Sequence, residues 1–446
     1  MEFNIIEILK RINVLKSNDE NINLILKLIN ESPQLIKVLS YKPSPGLANI
    51  GNTCFHNSGM QLIYRITELT NFLIHPKIIN QYRPTSFIIN FINLLHKMHN
   101  KLNVNESPVG KYLTSTELIE VKLCLKGVFG NDYSNTQEDV QQFMQTILSN
   151  LSIDCPTNEF NLTRDEMNNI VCPKENNQII KKRKFPNNDP RNFLFIKTQI
   201  NLCKWKQVPK ELFKGSEYDS DKISKYGKEK KYFDELVTRC QHKIKEKEKE
   251  SDEYFIQLKI TDYNKTYSIN DLIKSVYDPF VKNNSNDIIL KAKKNMSGLD
   301  YLYVETWNYI PNKYILIQLW GSNYINQQYT KINHHVKLEE DGFINFEYSE
   351  NNAKRSQKYE LIGISYHSGS TLAGGHYTAN IKYDKQWYRY DDSVVKEISS
   401  YDKSYLNNET SARPYIVLYR QVSDGPFNYI DPSIIPDDLN KYLIPI

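Results

Sequence analysis

Cys54 stands where a thiol could act as a nucleophile. It follows a stretch rich in glycine and asparagine, residues 46–53. After it, Leu62, Ile63 and Ile66 recur at helical spacing, which predicts that a helix begins near the cysteine. A thiol in the first turn of a helix faces the positive end of the helix dipole and unpaired backbone N–H groups, and both favour the reactive thiolate. A buried cysteine that merely fills space near a helix start would show the same local pattern.

The turn before Cys54 is built from residue types that allow tight backbone conformations. Asn52 and Thr53 are types that start helices, so the helix is predicted to begin directly after them. Gly46 and Gly51 are predicted to take positive φ angles and to let the backbone come close to a substrate.

His376 and Asp391 lie on the two strands of one predicted hairpin. The strand that starts near His376 alternates in polarity, and residues 384–386 form the predicted turn. The returning strand ends in two aspartates, Asp391 and Asp392. Folding back at the turn brings Asp391 close to the histidine, where a carboxylate can orient the imidazole and stabilise its cation. Taken alone, His376 could equally be a strand histidine, and the two aspartates a strand end.

Cys54, His376 and Asp391 together predict a nucleophilic relay. His376 would take the thiol proton, the thiolate would attack a carbonyl, and the imidazolium would then protonate the leaving amine. The tetrahedral oxyanion needs hydrogen-bond donors, and the candidates are the backbone N–H of Cys54 and the side chain of Asn49. The chain order of cysteine, histidine and aspartate is that of papain-like enzymes.

Composition and charge limit which cellular compartment and which classes of partner are expected. The 446 residues are 40% hydrophobic, and a net charge of +5, with both signs mixed along the chain, does not indicate nucleic acid. The 6 cysteines lie far apart and form no CxxC pair, so we expect neither a disulfide framework nor a zinc ribbon. We also expect no metal and no cofactor. We find no signal peptide and no apolar run approaching the about 18 to 20 residues that span a bilayer. We therefore expect an intracellular protein without a membrane partner.

Residues 47–153 are predicted to be mainly helical. One segment has a clean apolar stripe, and Thr136 and Asp139 fit a capping box at its start. The stripe consists of Val140, Phe143, Met144, Ile147, Leu148 and Leu151. The stripe itself indicates packing on the core, so only the polar first turn, residues 137–142, is a candidate for a function.

Two other parts of the chain have weaker patterns. Residues 1–42 are predicted to form short amphipathic helices that either cap the main domain or dock a partner, and Lys42–Gly46 is a non-helical linker. Residues 155–300 are lysine-rich, and Lys181–Lys184 fits either a nuclear import signal or a solvated loop. The alternation of Lys and Glu from Lys243 to Glu253 is interpreted as an exposed helix with i,i+4 ion pairs.

From about residue 300 the pattern indicates strands. Tyr314–Trp320 is almost entirely apolar, as expected for a strand buried on both faces. Tyr359–Tyr366 is a second apolar strand, and Pro414–Tyr419 is predicted to complete the sheet. A helical first half followed by a strand-rich second half defines the fold class α+β.

The longest motifs resemble those of one protein family. The stretch Gly46–Gln61 resembles the cysteine box of the ubiquitin-specific proteases, the thiol deubiquitinases. His367–Ala379 and Trp387–Asp392 resemble the family's histidine box. Gln137–Phe143 is similar to its Gln-x-Asp-x-x-Glu-Phe helix. The order and spacing of these motifs agree from about residue 46 to residue 420.

The resemblance implies a papain-like cysteine protease fold with thumb, palm and fingers, and it implies catalytic roles. Cys54 is the implied nucleophile, His376 the base and Asp391 the residue that orients the base. Asn49 is the implied oxyanion donor. The implied supporting residues are Asn52, a second oxyanion helper, and Asp392, a second acidic residue that supports or replaces the first.

The same resemblance implies where ubiquitin would bind. The fingers would hold ubiquitin, and its tail would run in a narrow cleft. Asp139 is expected to pair with an arginine of the tail, and Tyr377 is expected to line the cleft. Gln142 stands where the family usually has glutamate, which removes one charge from the tail site. Two further departures are His56, at a position that is usually hydrophobic, and the missing zinc-binding cysteines of the fingers.

We therefore expect a cysteine isopeptidase that removes ubiquitin from conjugates. Ubiquitin and ubiquitinated proteins are the expected partners, a monomer is the expected state, and the cytoplasm or nucleus is the expected location. Three alternatives stay open: a ubiquitin-binding scaffold with weak or no catalysis, a protease for another ubiquitin-like modifier, and a general papain-like peptidase.

The expected domain organisation has two parts. An N-terminal helical extension covers residues 1–45, and the catalytic domain covers residues 46–446. Within the catalytic domain, the expected parts are the helical thumb at about 46–153, the fingers or insert at about 154–300, the mostly β palm at about 301–421 and the tail at 422–446.

Overall fold

The computed structural model describes most of the chain between residues 42 and 422. Three segments named above lie outside the described residues: the N-terminal residues 1–41, the basic cluster Lys181–Lys184 and residues 423–446. The described residues are 42–79, 82, 86–103, 106–130, 133, 136–153, 190–204, 213–214, 217–218, 242–249, 254–260, 265–277, 291–294, 300–320, 322–325, 328–331, 334–350, 353–369, 374–407 and 410–422.

Helices dominate the described residues up to residue 153, as the sequence predicts. The described α-helices are α1 (Cys54–Tyr64), α2 (Thr67–Leu73), α3 (Pro76–Ile79), α4 (Phe87–Lys101), α5 (Ile119–Phe129), α6 (Val140–Ile153) and α7 (Ile269–Tyr277). Every residue of α1 is buried, so the helix that carries the cysteine lies inside the core. Within the described residues, none of the helices combines the length and the apolar character that crossing a bilayer requires.

Helix α6 carries the predicted apolar stripe, but the capping-box prediction for its start is wrong. Asp139 is the N-cap, because its Oδ1 accepts hydrogen bonds from the backbone N–H groups of Gln141 (2.7 Å) and Gln142 (3.0 Å). The Thr136 hydroxyl instead donates to Glu138 (2.8 Å). A residue directly before the first helical residue can reach the free N–H groups of the first turn, whereas Thr136 lies too far upstream.

Strands make up most of the described residues after residue 196. The described strands are β1 (Gly46–Leu47), β2 (Tyr112–Leu113), β3 (Lys197–Lys204), β4 (Phe213–Lys214), β5 (Glu217–Tyr218), β6 (His242–Lys249), β7 (Phe255–Lys259), β8 (Thr266–Ser268), β9 (Lys291–Lys294), β10 (Asp300–Ile310), β11 (Tyr314–Trp320), β12 (Ser322–Ile325), β13 (Gln328–Lys331), β14 (His335–Lys337), β15 (Phe343–Glu350), β16 (Ala353–Ser368), β17 (His376–Tyr383), β18 (Gln386–Asp391), β19 (Val394–Ile398) and β20 (Arg413–Gln421). The main sheet among the described residues has 8 strands in the order β19-β18-β17-β16-β20-β11-β7, with β15 also paired to β16. Its neighbours are antiparallel except for β7 and β11, so the α+β class is confirmed.

The predicted hairpin around His376 is present in the main sheet. Strand β17 begins at His376, a turn follows at residues 384–385, and β18 ends at Asp391. The register pairs Ala379 with Tyr390, which places Asp391 beside the first residues of β17. The turn and the register together bring the histidine and the carboxylate to the same end of the hairpin.

Both faces of the main sheet are buried, and α1 lies against one of them. In β11, Tyr314 and Leu316 pack into the core that contains α1. Ile315 and Ile317 pack into a second core on the opposite face, so the predicted two-sided burial of this strand is confirmed. At Gly363 in β16, an added Cβ would lie 2.7 Å from a side-chain carbon of α1, so a larger residue there would push the cysteine's helix away from the sheet.

The helix expected at Lys243–Glu253 is wrong where the structure describes it. Residues 242–249 form strand β6, which pairs antiparallel with β3 in a four-stranded sheet of order β6-β3-β10-β9. A strict alternation of Lys and Glu places like charges four residues apart, as with Lys243 and Lys247, and this pairing destabilises a helix. The same alternation has the period of two that a strand requires.

Candidate active site

The N-terminus of α1 places Cys54 at the end of a tight turn. Cys54 is the first helical residue and only 3% of it is exposed. Gly51 has a φ of 112° and Asn52 a φ of 52°, so the predicted positive φ is confirmed at Gly51. Thr53 turns its hydroxyl back into the turn, where it accepts from the Ile50 N–H at 3.1 Å. Because no side chain among the described residues caps α1, its first N–H groups, including that of Cys54, can serve an oxyanion.

Gly46 has a different role from the one predicted. It lies in β1 rather than at a positive φ, and an added Cβ would come within 2.7 Å of the Ser393 carbonyl oxygen. The small residue therefore lets the chain leading to Cys54 pass close to the turn that follows Asp391. The backbone N–H of Leu47 donates to the Asp392 carbonyl at 2.9 Å and fixes the same contact.

His376 hydrogen-bonds both of the side chains that the relay requires. Its Nε2 lies 2.7 Å from Asp391 Oδ1, and the ring also hydrogen-bonds the Cys54 side chain. The Asp391 hydrogen bond, followed by the Cys54 hydrogen bond, raises the pKa of His376 to about 10. The same bond to His376 lowers the pKa of Asp391. The structure thus brings together the three catalytic residues that the sequence predicts.

This geometry favours an imidazolium beside the Asp391 carboxylate. Asp391 occupies Nε2, so Nδ1 is the ring nitrogen left for the thiol. A histidine that stays protonated at neutral pH stabilises a thiolate beside it, and it already carries the proton that a leaving amine needs. The arrangement supports nucleophilic attack on a carbonyl followed by general-acid release of an amine.

Asn49 is held by its amide oxygen and by one amide hydrogen. Its Oδ1 accepts from the backbone N–H groups of Gly51 (3.1 Å) and Thr53 (3.2 Å). Its Nδ2 donates to Asp392 Oδ2 at 2.9 Å. An amide nitrogen carries two hydrogens, so the second N–H remains for a substrate oxyanion. The side chain is exposed and pre-oriented, and this supports the predicted role as an oxyanion donor.

Asp392 supports the turn before Cys54 rather than the histidine. Its Oδ2 accepts from Asn49, its Oδ1 accepts from Asn57 Nδ2 at 2.8 Å, and its backbone adopts a φ of 52°. Asn57 lies one helical turn after Cys54, so Asp392 connects the end of β18 to both sides of the nucleophile. Asp391 and Asp392 therefore have different partners in the described residues, although they are adjacent in sequence.

We expect Asp392→Asn to lower kcat and to leave the pH dependence unchanged. The variant tolerates the positive φ, but one of the two amide donors would then face an NH2 group. Loss of one oxyanion-hole donor costs about 10²–10³-fold in kcat, so loss of its orienting partner should cost less, roughly tenfold. Steady-state kinetics on a conjugate substrate measure this. Kinetics identical to wild type would contradict the orienting role.

Three acidic and imidazole groups at this site meet closely enough to hold a metal ion. His376, Asp391 and Asp392 each offer one ligand atom, and these atoms lie within 4.8 Å of one another. Hydrogen bonds already engage them, because Nε2 is bonded to Asp391 and the Asp392 oxygens accept from two amides. A metal ion would have to break the histidine–aspartate bond, so the contacts fit a proton relay better than a metal site.

Asp139 is the residue expected to pair with a substrate arginine. Both of its carboxylate oxygens already accept hydrogen bonds within the protein. Its Oδ1 caps α6, and its Oδ2 accepts from the Tyr415 hydroxyl. Tyr415 in turn accepts from Gln318 Nε2 at 2.7 Å, so a chain of hydrogen bonds leads from the sheet to the helix start. Burial raises the pKa of Asp139. The carboxylate lies at the start of α6, and its arginine contact stays a prediction.

The other two predicted substrate-binding residues differ in exposure. Gln142 is exposed on the first turn of α6, where it could meet a ligand. Tyr377 is only 1% exposed, and its ring packs 4.4 Å from the His367 ring and 6.1 Å from the Tyr415 ring, centroid to centroid. Tyr377 is therefore a buried packing residue, and little of it can touch a substrate.

His56 fills its usually hydrophobic position as an uncharged ring. It is fully buried, and its ring centroid lies 4.9 Å from that of Phe143 in α6. Burial lowers the pKa of His56 to about 4, so it is neutral at physiological pH. Its Nδ1 lies 3.1 Å from Asn57 Oδ1, which helps to orient the amide that holds Asp392.

Sequence reasoning missed several residues that support the site. Asn57 follows Cys54 by three residues on α1, and this helical spacing could have identified it. Tyr415 lies in an apolar strand, and no sequence pattern marked it as functional. Its hydroxyl meets Gln318 only because β20 pairs with β11. Gln137 lies in the polar turn considered functional, and its partner is the backbone N–H of Gly375.

Comparison with known proteins identifies the family of this chain. A family model described as ubiquitin carboxyl-terminal hydrolase matches residues 45–419. Ubiquitin carboxyl-terminal hydrolase 25 of Arabidopsis thaliana is 23% identical over 393 residues, which is 86% of this chain and 48% of that protein. Ubiquitin carboxyl-terminal hydrolase 9 of the same plant is 38% identical over 98 residues, which is 20% of this chain and 10% of that protein. The chain thus spans about half or less of the length of these relatives.

A solved structure shares the fold. The SAGA Ubp8/Sgf11/Sus1/Sgf73 DUB module bound to ubiquitin aldehyde is similar with a TM-score of 0.51 and 17% identity, covering 91% of this chain and 77% of that chain. The fold and the arrangement of Cys54, His376 and Asp391 resemble those of the papain-like class. Since the family model covers most of its length, the chain belongs to the ubiquitin carboxyl-terminal hydrolase family.

Proposed function

We propose that this chain is a thiol-dependent deubiquitinase that hydrolyses isopeptide and peptide bonds at the C-terminus of ubiquitin. One observation carries the proposal: the His376 ring hydrogen-bonds both the Cys54 side chain and the Asp391 carboxylate. Membership of the family supports ubiquitin as the modifier. Ubiquitinated proteins as substrates, a monomeric state, an intracellular location and catalysis without a cofactor belong to the same proposal.

The proposed reaction proceeds in two halves. The Cys54 sulfur attacks the terminal carbonyl of ubiquitin, and the Cys54 N–H and Asn49 donate to the oxyanion. His376 gives its proton to the leaving lysine amine, and a thioester remains on the sulfur. Water, deprotonated by His376, then attacks the thioester and releases the ubiquitin carboxylate.

A second candidate is a protease for another ubiquitin-like modifier. Gln142 leaves the tail site without the charge that the family usually has there, and Asp139 is already engaged with Tyr415. Both features weaken the selection for a basic tail. Such a site favours a modifier whose tail carries fewer positive charges than that of ubiquitin.

Labelling with modifier probes tests the proposal. Each probe is a modifier whose C-terminus carries an electrophile, and ubiquitin is compared in parallel with several ubiquitin-like proteins. We expect the ubiquitin probe to form the fastest covalent adduct, at Cys54. Faster labelling by another modifier would support the second candidate. Tight binding of ubiquitin without an adduct would indicate a scaffold, and cleavage of short unconjugated peptides would indicate a general peptidase.

We expect Asp139→Asn to raise KM for ubiquitin substrates by about tenfold, the value of a charge-assisted hydrogen bond, while kcat changes little. Asparagine keeps the oxygen that caps α6, loses the negative charge and places an NH2 group where Oδ2 accepts from the Tyr415 hydroxyl, which can accept in its turn. Asp139→Ala is the comparison, because it also removes the cap and should destabilise the fold by about 1 kcal/mol. Steady-state kinetics and thermal unfolding separate the two effects. An unchanged KM in the asparagine variant would exclude an ion pair with the tail.

A further inference from the structure

Gln137 connects the segment before α6 to the residue that precedes the catalytic histidine. Its Oε1 accepts from the Gly375 backbone N–H at 3.1 Å. The two residues belong to distant parts of the chain, and His376 follows Gly375 directly at the start of β17. The opposite end of the amide, Nε2, is buried and has no hydrogen-bond partner among the described residues. In the Gln137 side chain, Oε1 is therefore hydrogen-bonded, whereas the donor Nε2 has no acceptor among the described residues.

The backbone that Gln137 holds has little freedom. Gly375 has a φ of 145°, and an added Cβ would lie 2.1 Å from the Ser368 carbonyl oxygen, so no other residue type fits there. On the far side, the Ser368 hydroxyl donates to the His376 carbonyl at 3.2 Å. Side chains therefore hold the peptide group between residues 374 and 375 and the peptide group that follows the His376 α-carbon. Because the ring must meet a sulfur and a carboxylate at once, a small shift of this backbone would spoil both contacts.

The free Nε2 needs an acceptor from outside the described residues. A buried donor without a partner is costly, so such a group in a native protein indicates a water, an ion or a ligand. Gln137 lies two residues before Asp139 and hydrogen-bonds the neighbour of His376, so its amide stands between the tail site and the catalytic centre. An extended peptide tail that runs from one to the other must present backbone carbonyl oxygens along this path.

We propose that Gln137 is a positioning residue with two functions: its Oε1 fixes the backbone that carries His376, and its Nε2 donates to a backbone carbonyl of the modifier tail. The first function stands on the contacts alone, and the second rests on the proposed deubiquitinase function. The bond to the tail would orient the same amide that holds Gly375. Occupation of the tail site would thereby stabilise the active position of the histidine.

Two substitutions separate the two functions. Gln137→Glu keeps an oxygen for the Gly375 N–H and removes the donor, so we expect KM for ubiquitin conjugates to rise about tenfold with kcat near wild type. Gln137→Ala removes both, so kcat should also fall, by about tenfold. Gln145→Ala is the matched control, since Gln145 is a glutamine of the same helix and its side chain donates to Ser149 within that helix. Thermal unfolding of all variants checks that each one folds.

Alkylation of Cys54 by iodoacetamide at neutral pH tests the positioning function without any modifier. We expect slower alkylation in Gln137→Ala and wild-type rates in Gln137→Glu and Gln145→Ala. If Gln137→Ala matches Gln145→Ala in both alkylation and kcat, the positioning function is excluded. If Gln137→Glu leaves KM unchanged, the tail contact is excluded. If wild type does not cleave ubiquitin conjugates, the proposed function and the tail contact both fail, while the alkylation rates still decide on the positioning.

Discussion

Cys54→Ala is expected to abolish hydrolysis of ubiquitin conjugates while thermal unfolding stays close to that of wild type. The substitution removes the nucleophilic sulfur, and no step of the proposed reaction proceeds without it. It also removes one buried atom from α1, which should destabilise the fold by only about 1 kcal/mol. Hydrolysis assays with a ubiquitin conjugate and a thermal melt of the same preparations measure both effects.

Cys124→Ala provides a matched control for the nucleophile. Cys124 is a second buried cysteine, in α5, and burial raises the pKa of its thiol to about 12. It is therefore an unreactive thiol at neutral pH, and its removal should leave both turnover and probe labelling intact. Residual turnover in Cys54→Ala, or a labelling loss in Cys124→Ala, would refute the assignment of the nucleophile.

Asp391→Asn is expected to give the second-largest effect, a loss of about 10²-fold in turnover that grows at alkaline pH. The Asp391 hydrogen bond is the largest cause of the raised pKa of His376, which is about 10. A raised histidine pKa keeps the imidazolium present up to that pH, so the alkaline limb of kcat/KM should lie near pH 10 in wild type. Without the carboxylate, the proton is lost at lower pH, and the limb should move down by about one to three units.

The pH profile of Asp392→Asn completes this test. Asp392 hydrogen-bonds Asn49 and Asn57, and it is not among the causes of the His376 pKa shift. Its variant should therefore lose turnover with the alkaline limb in place. If Asp392→Asn moves the limb and Asp391→Asn does not, the roles of the two carboxylates are the reverse of those proposed here.

The residues with local patterns were predictable from the sequence. Tyr314–Trp320 forms β11 with the predicted bounds, because an uninterrupted apolar run must be buried on both faces of a sheet. The hairpin that joins His376 to Asp391 follows from a short turn between two strands. The cysteine at the start of α1 follows from a turn that leads into helical spacing.

The contacts between distant elements were not predictable in the same way. No sequence pattern places β20 between β16 and β11, and this placement is what brings Tyr415 to Asp139. The hydrogen bonds of Asp392 were also not predicted, because its two amide partners lie far away in sequence, in the turn before Cys54 and in α1. In the lysine-rich insert, the alternating Lys and Glu residues fitted both a helical and a strand period. Pairing of β6 with β3 stabilises the strand.

The complete burial of α1 has a consequence for how this protein would lose its activity. A denaturant cannot move the sulfur out of line while the interior stays assembled, because the sulfur belongs to that interior. Loss of activity and unfolding of the hydrophobic core should then occur in a single transition. The residual activity of a partly denatured sample would then equal the fraction of molecules whose core is still folded.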